Sequence, residues 1–255
     1  MTEIHWLIAQ IAVLLAAALQ SATGAGLGMV VGPALILTMG SKSAIHVSII
    51  LNLSLSVLLL PGETRHIHWT SLKTLALGTI IGTPIGLVLI NVLDLTGLKL
   101  FAALAISLCG FQLIHSRRKQ AASVTPEADS SWALPAASLA SGIMASSLAM
   151  PGPAALWAMA RNRINAIQIR ANLRALFVVS YTLALLIHAL QGIDWSPVID
   201  ASLGLGIALA VGTVIGLVIK RKLSERVLNS LLLGLLLVMG LSLFTKSIME
   251  ILENV

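Results

Sequence analysis

Charged residues are scarce in this sequence of 255 residues. Asp, Glu, Lys and Arg together make up 10% of the chain, whereas hydrophobic residues make up 57%. A soluble domain carries roughly 25% charged residues, which it needs to cover its surface. The composition therefore excludes a water-soluble protein and predicts a membrane protein.

Cysteines, alternating patterns and catalytic motifs are also lacking. The single cysteine, Cys109, lies in an apolar run, so neither an intramolecular disulfide nor a cysteine-based metal site is expected. The hydrophobic residues form long unbroken runs, which indicates transmembrane helices rather than short alternating strands. The P-loop, HExxH and GxSxG motifs are missing, so no enzymatic activity, cofactor or metal ion is predicted.

Basic residues give the chain a net charge of +6 and lie in short segments beside the apolar runs. This placement is typical of membrane topology signals, so we predict contact with lipid and no binding of nucleic acid. The first residues lack the basic segment of a signal peptide, and we expect the first apolar run to be retained as a transmembrane segment.

Eight stretches without charged residues set the number of helices. They are residues 4–41, 43–62, 74–93, 100–116, 130–160, 175–193, 201–219 and 227–245. Six of them fit one crossing of roughly 20 residues each. The stretches 4–41 and 130–160 are too long for one helix, and glycines and prolines interrupt both, including Gly32-Pro33 and Met150-Pro-Gly-Pro153. We predict a broken helical hairpin in each, with its bend inside the protein.

The two halves of the chain resemble each other. The hydrophilic segment 116–131 separates residues 1–115 from residues 132–255, and we interpret it as a cytoplasmic linker between two repeats. The segment 81–88 (IGTPIGLV) returns as 211–218 (VGTVIGLV), in the same order as the other shared motifs. Gly82 and Gly86, with their counterparts Gly212 and Gly216, are expected to be packing residues at an interface between moving parts.

Basic residues also favour one orientation of these repeats. If each broken hairpin returns to the side it entered from, most of the 16 basic residues lie on the cytoplasmic side. The fold predicted is therefore an all-α polytopic membrane protein of two inverted repeats, each with a broken hairpin and three transmembrane helices. Both termini are expected outside. Inverted repeats with broken helices are typical of secondary transporters that bind substrate near the midplane.

The helix breaks supply most of the predicted anion-binding residues. Free N–H groups and the positive dipole end of a half-helix attract an anion. The candidates are Ser21, Thr23, Gly24, Gly26 and Gly28 in the first half, and Ser146, Ser147, Gly152 and Pro153 in the second. The alternative is that these small residues only allow close helix packing.

Side chains outside the breaks complete the predicted site. Asn52 and Asn172 carry amides that suit an oxyanion, although a hydrogen bond between helices explains them equally well. Arg170 lies four residues before Arg174 in a segment without acidic residues, and its planar fork matches sulfonate oxygens. Arg161, in contrast, is expected to anchor the chain at the membrane surface.

Lone ionisable groups near the membrane ends are predicted to be structural. They are His46, His188 and Glu63. A Ser146 or Ser147 dyad with His188 would instead indicate an intramembrane enzyme, and an assembly scaffold is a further alternative. A cation transporter is disfavoured because the segments lack paired acidic residues.

The glycine-rich first break, the repeated Met150-Pro-Gly-Pro153 and Arg170-Ala-Asn172 resemble the TauE/SafE family of sulfite and organosulfonate exporters. The resemblance covers nearly the whole chain. It implies a transporter of the bacterial inner membrane that moves sulfite or a C2 sulfonate outward, with a small anion as its substrate. The second break has serines where that family commonly has adjacent glycines, which leaves carboxylates and phosphate as alternative substrates. The composition is compatible with an oligomer.

Overall fold

The protein is all-helical over the residues that the computed structural model describes, which are 2–121, 132–220, 222 and 225–253. This confirms the predicted helical class, and no strand occurs in that part of the chain. A short 3₁₀ turn, Thr64–His66, lies between the third and fourth helices. The α-helices are α1 (Glu3–Thr23), α2 (Leu27–Met39), α3 (Ser43–Leu59), α4 (Trp69–Val92), α5 (Leu95–Ala121), α6 (Ala133–Leu148), α7 (Gly152–Arg161), α8 (Ala166–Ala189), α9 (Ser196–Ile219) and α10 (Glu225–Glu253).

Within the described ranges, five helices are long and apolar enough to cross a membrane. They are α1, α4, α8, α9 and the part of α10 from Ser230 to Glu250. The helices α2, α3 and α6, with the first part of α5, are shorter apolar helices of 10 to 17 residues. The pattern is that of a multi-pass membrane protein.

Helix breaks occur in both apolar stretches that are too long for one helix, residues 4–41 and 130–160. The first separates α1 from α2 at Gly24 and Gly26, whose φ angles of 93° and 134° lie where glycine is favoured. The second separates α6 from α7, and there Ala149 adopts a φ of 55°. All three residues are buried, so each break lies inside the protein as expected. The segment 116–121 belongs to α5 rather than to a linker, and 122–131 lies outside the described residues.

Helices of one half pack on helices of the other half in a symmetric pattern. Helix α4 packs along α6, and α9 packs along α1. Helix α3 also contacts α8, and α5 contacts α10. If the second half repeats the first helix by helix, α6 corresponds to α1 and α9 to α4. The contact of α4 with α6 is then equivalent to that of α9 with α1, and the other two contacts each join a helix to its own counterpart.

Glycines bring the two main helix pairs together. A Cβ at Gly82 or Gly86 would lie 2.2 Å from the carbonyl oxygen of Leu139 or Ile143, respectively, on α6. The α9 glycines make the equivalent approach, because a Cβ at Gly216 would lie 2.2 Å from the carbonyl oxygen of Ala18 on α1. The predicted packing role of these glycines agrees with this geometry, in which small residues let helix backbones touch.

Candidate anion site

The first break brings the end of α1 close to the start of α2. Gln20 Oε1 accepts a hydrogen bond of 2.8 Å from the Leu27 N–H, which caps the first turn of α2. The Thr23 hydroxyl is engaged locally, with carbonyl oxygens of Leu19 and Ala25 at 2.8 and 2.7 Å. The break is therefore held by its own polar side chains, and Thr23 is part of that framework.

Several buried polar atoms around this break have no hydrogen-bond partner in the described part of the chain. They are Gln20 Nε2, Ser21 Oγ, Arg170 Nε and Arg174 Nε. All four can donate a hydrogen bond, and a buried donor without a partner costs about 1–3 kcal/mol. A cluster of donors of this kind is suited to an oxyanion, which supplies several acceptor oxygens at once.

Three cations surround one carboxylate beside the same break. The Arg174 guanidinium donates from Nη1 to Glu63 Oε1 at 2.8 Å. The same oxygen lies 3.8 Å from Arg170 Nε and 3.9 Å from Lys220 Nζ. The positive charges therefore exceed the negative charge within the cluster, and the Arg170 and Arg174 side chains are largely buried. Such an excess attracts anions.

The pKa of Lys220 is affected by the other charges of this cluster. It follows directly after the candidate span α9. Burial lowers the pKa of the Lys220 ammonium, with Arg170 and Arg174 acting in the same direction and Glu63 opposing them. Repulsion between these cations persists with Glu63 in place, so one carboxylate does not neutralise the cluster.

Arg170 lies directly against the first break. A Cβ at Gly24 would be 2.5 Å from Arg170 Cγ, so the stem of the arginine occupies the space that a side chain at position 24 would need. Gly24 also has a positive φ, and both constraints require glycine there. Arg174, one turn later, donates from Nη2 to the carbonyl oxygen of Ser21 at 3.4 Å. The sequence prediction singled out Arg170, and the structure adds Arg174.

The second break is held by a different set of contacts. The Tyr181 hydroxyl on α8 donates to the Ala149 carbonyl oxygen at 2.9 Å. Ser146 Oγ donates to the carbonyl oxygen of Thr83 at 2.7 Å, and Ser147 Oγ to that of Ile143 at 2.6 Å. Both serine hydroxyls thus donate to backbone oxygens, whereas their predicted role is donation to an anion.

The two breaks meet near the centre of the molecule. A Cβ at Gly28 would lie 2.4 Å from the Ala149 carbonyl oxygen and 2.7 Å from the Tyr181 hydroxyl. Gly152, with Pro153 in the first turn of α7, lies against Phe177 and the end of Met29. The start of α2 therefore packs on the second break, and the candidate residues of both halves share one buried region.

The two asparagines occupy different environments. Asn172 binds the peptide of His68 on both sides, accepting from its N–H at 2.8 Å and donating to its carbonyl at 3.1 Å. Asn52 Nδ2 donates back to the Ser48 carbonyl oxygen at 2.8 Å, and its buried Oδ1 has no partner in the described residues. Both amides thus make hydrogen bonds within the protein, which is the alternative to anion binding that the sequence allows. Their role in anion binding stays a prediction.

His46 and His188, which the sequence presents as separate groups, form a pair. His46 Nε2 lies 3.0 Å from His188 Nδ1, and His188 Nε2 lies 3.0 Å from the Ser146 carbonyl oxygen. A carbonyl only accepts, so His188 donates from Nε2 and the neutral ring accepts at Nδ1 from His46. His188 therefore contacts the backbone of Ser146, while the Ser146 hydroxyl is bonded to Thr83, which is not the geometry of a serine–histidine dyad.

Sequence comparisons agree with the helical architecture. Residues 9–243 match the family model described as "Sulfite exporter TauE/SafE". The chain is 24% identical over 233 residues, which cover 90% of both chains, to a protein of Cupriavidus necator named "Probable sulfite/organosulfonate exporter TauE". No solved structure matches the chain. The chain belongs to the TauE/SafE family of sulfite exporters, whose members are multi-pass inner-membrane transporters and not enzymes.

Proposed function

We propose that this protein exports sulfite or a small C2 organosulfonate across the inner membrane, and that the first break with its arginines binds this anion. The observation that carries the proposal is the cluster of Arg170, Arg174 and Lys220 around the single carboxylate of Glu63. Charge of one sign in excess, inside an apolar protein, favours a counter-ion of the opposite sign.

The donors around the cluster suit a group with three oxygens. Sulfite and sulfonates present their oxygens in a compact pyramid, and an arginine fork binds two such oxygens at once. Arg174 Nε and Ser21 Oγ are buried and have no partner in the described chain. An oxyanion between them would accept a hydrogen bond from each on a separate oxygen, so we expect it to bind more tightly than a halide.

The packing of the halves supports transport by alternating access. Matched contacts of α4 with α6 and of α9 with α1 are those that a two-fold relation between the halves would produce. Together with the distribution of basic residues, they favour inverted repeats with the substrate near the midplane. Rocking of the halves along the glycine contacts would open the site to each side in turn.

Exposed apolar side chains on the outside of these pairs fit a lipid environment. Helices α4 and α9 each present a row of them, including Leu77, Ile81, Val88, Leu203, Ile207 and Val214. Such a surface is unfavourable in water and favourable against acyl chains. Membrane lipid is therefore the partner that we propose for these faces.

Efflux from proteoliposomes tests the function. Vesicles loaded with sulfite or sulfoacetate should lose it faster with the protein than without, and excess external sulfonate should exchange with it. Protein-free vesicles provide the control. Absence of flux for both sulfur anions from a folded sample would overturn the substrate, and the same assay with carboxylates and phosphate would then identify the anion class.

A further inference from the structure

Glu63 occupies the position in the cluster that an anionic substrate would need. Its Oε1 contacts Arg174 directly, and Arg170 and Lys220 both lie within 4 Å of that same oxygen. No other acidic side chain takes part in this cluster among the described residues. A carboxylate and a sulfonate present similar charged oxygens to a guanidinium, so the two cannot bind Arg174 Nη1 at the same time.

The carboxylate fills this position incompletely. Arg170 Nε lies 3.8 Å from Glu63 Oε1, beyond hydrogen-bonding distance, and Arg174 Nε has no partner in the described residues. Ser21 Oγ is fully buried and also lacks a partner there. A substrate with three oxygens offers more acceptors than Glu63, which is a physical reason why it can displace the side chain.

Glu63 is buried, but its backbone lies in a turn at the edge of the packed helices. It lies in the turn between α3 and the short 3₁₀ helix, where its N–H donates to the carbonyl oxygen of Leu60. Its neighbour Gly62 is exposed and faces open space. The backbone there is a turn rather than the middle of a packed helix, so a movement of Glu63 breaks no helical hydrogen bonds of α3 or α8.

We propose that Glu63 is a tethered competitor for the anion site. Its carboxylate neutralises the arginines while the site is without substrate, and it moves aside when sulfite or a sulfonate binds. This inference rests on the proposed assignment of the cluster to an anion. It makes Glu63 a determinant of affinity, whereas a purely structural Glu63 would brace Arg174 and leave affinity unaffected or weaken it when removed.

Calorimetric titration of the full chain in detergent with sulfite tests the inference. Glu63→Gln keeps the shape of the side chain and removes its charge, so it should bind sulfite at least roughly tenfold more tightly than the wild type. Glu63→Asp keeps the charge but withdraws it from Arg174 by one methylene, and its affinity should fall in between. Asp200→Asn is the matched control, because it removes an exposed acid about 30 Å along α9 from Lys220 and should change nothing.

Two results would overturn the competitor role. Unchanged or weaker sulfite binding by Glu63→Gln is the first, and if that variant does not fold, binding no tighter than wild type by Glu63→Asp is the second. Sulfate serves as a second probe that separates this inference from the proposed function. Tighter sulfate binding by Glu63→Gln, without sulfite transport by any variant, would uphold the competitor and overturn the exporter. Sulfite transport with equal affinities would do the reverse.

Discussion

Arg170 and Arg174 have different tasks at the first break although they lie on the same face of α8. Arg174 already holds Glu63 and the carbonyl oxygen of Ser21. Arg170 packs its stem on Gly24 and leaves its Nε without a hydrogen-bond partner in the described residues. Arg170 is thus the cation with more capacity for substrate, and Arg174 is the one that also joins the structural elements.

Replacement of Arg170 with alanine should largely abolish sulfite transport. A charge-assisted hydrogen bond contributes about 1.5–3 kcal/mol, which corresponds to a loss of roughly tenfold to over a hundredfold in affinity. Folding should be affected little, because Arg170 reaches Glu63 only at 3.8 Å and its stem packs on Gly24 at one side of the break. Initial rates of sulfite efflux from proteoliposomes, with the melting temperature measured on the same sample, check both expectations.

Arg161→Ala is the control for that experiment. The Arg161 guanidinium lies 5.8 and 5.7 Å from the ring centroids of Trp132 and Trp157, a cation–π arrangement away from the first break. Its removal should lower stability slightly and leave transport near the wild-type rate. Normal efflux by Arg170→Ala, or equal losses in both variants, would remove Arg170 from the site.

Sequence reasoning at this scale identified single residues but not their partners. The segment 161–174 is rich in arginine and lacks acidic residues, which is visible in the sequence and indicates an anion site. Glu63 and His46 were interpreted as isolated groups because their partners, Arg174 and His188, are more than a hundred residues away in the chain. Only the packing of α3 against α8 brings these pairs together.

At the scale of helices, the glycine contacts explain how α9 lies so close to α1. Gly216→Ala would place a methyl group 2.2 Å from the carbonyl oxygen of Ala18. Separation of the helices should cost about 1–3 kcal/mol of the free energy of unfolding. Gly206→Ala is the matched control on the same helix, since its Cβ would meet nothing within 4 Å and alanine favours helix.

Unfolding by SDS in mixed micelles measures this difference. We expect a lower midpoint for Gly216→Ala, and for its counterpart Gly86→Ala, than for Gly206→Ala. A midpoint for Gly216→Ala equal to that of Gly206→Ala would show that α1 and α9 are further apart than described.

The second break depends on a hydrogen bond from α8. Tyr181→Phe keeps the ring but removes the hydroxyl that donates to the Ala149 carbonyl oxygen, and it should lower the free energy of unfolding by about 1–3 kcal/mol. Ser180→Ala provides the comparison, because this neighbouring hydroxyl is equally buried and has no partner in the described residues. It should be neutral or stabilising in thermal unfolding. A greater loss for Ser180→Ala than for Tyr181→Phe would contradict the arrangement.

Helix breaks could be located from sequence because glycine and proline act locally. Gly24 and Gly26 end α1 through backbone conformations that glycine favours. The helical part of segment 116–131 could not be located in this way, because the hydrophilic residues after Ser116 do not by themselves stop a helix and α5 continues to Ala121. Hydrophilicity reports where a membrane ends, and a helix can continue beyond that point.

At the scale of the whole molecule, the repeated motifs in 81–88 and 211–218 predict two related halves. The structure pairs the helices that carry them with α6 and α1, respectively. Sequence periodicity could not have given this exchange of partners, because the buried faces of these helices carry glycine, serine and threonine while their outer faces are apolar. The close contacts depend on glycines, which have no side chain to mark a buried face.

The predicted orientation of the inverted repeats, with a cytoplasmic linker, places both termini outside, and reporter fusions test this. Alkaline phosphatase is active only outside the cytoplasm, whereas a fluorescent protein matures in it. A phosphatase fused after Val255 should be active, and the fluorescent protein inserted in segment 122–131 should be bright. The exchanged pair of reporters provides the control, because both of its fusions should be silent. Fluorescence of a fluorescent protein fused to the C-terminus would place the end of α10 in the cytoplasm instead of outside. If the insertion in segment 122–131 is bright as well, the halves run parallel, and alternating access through inverted repeats is excluded.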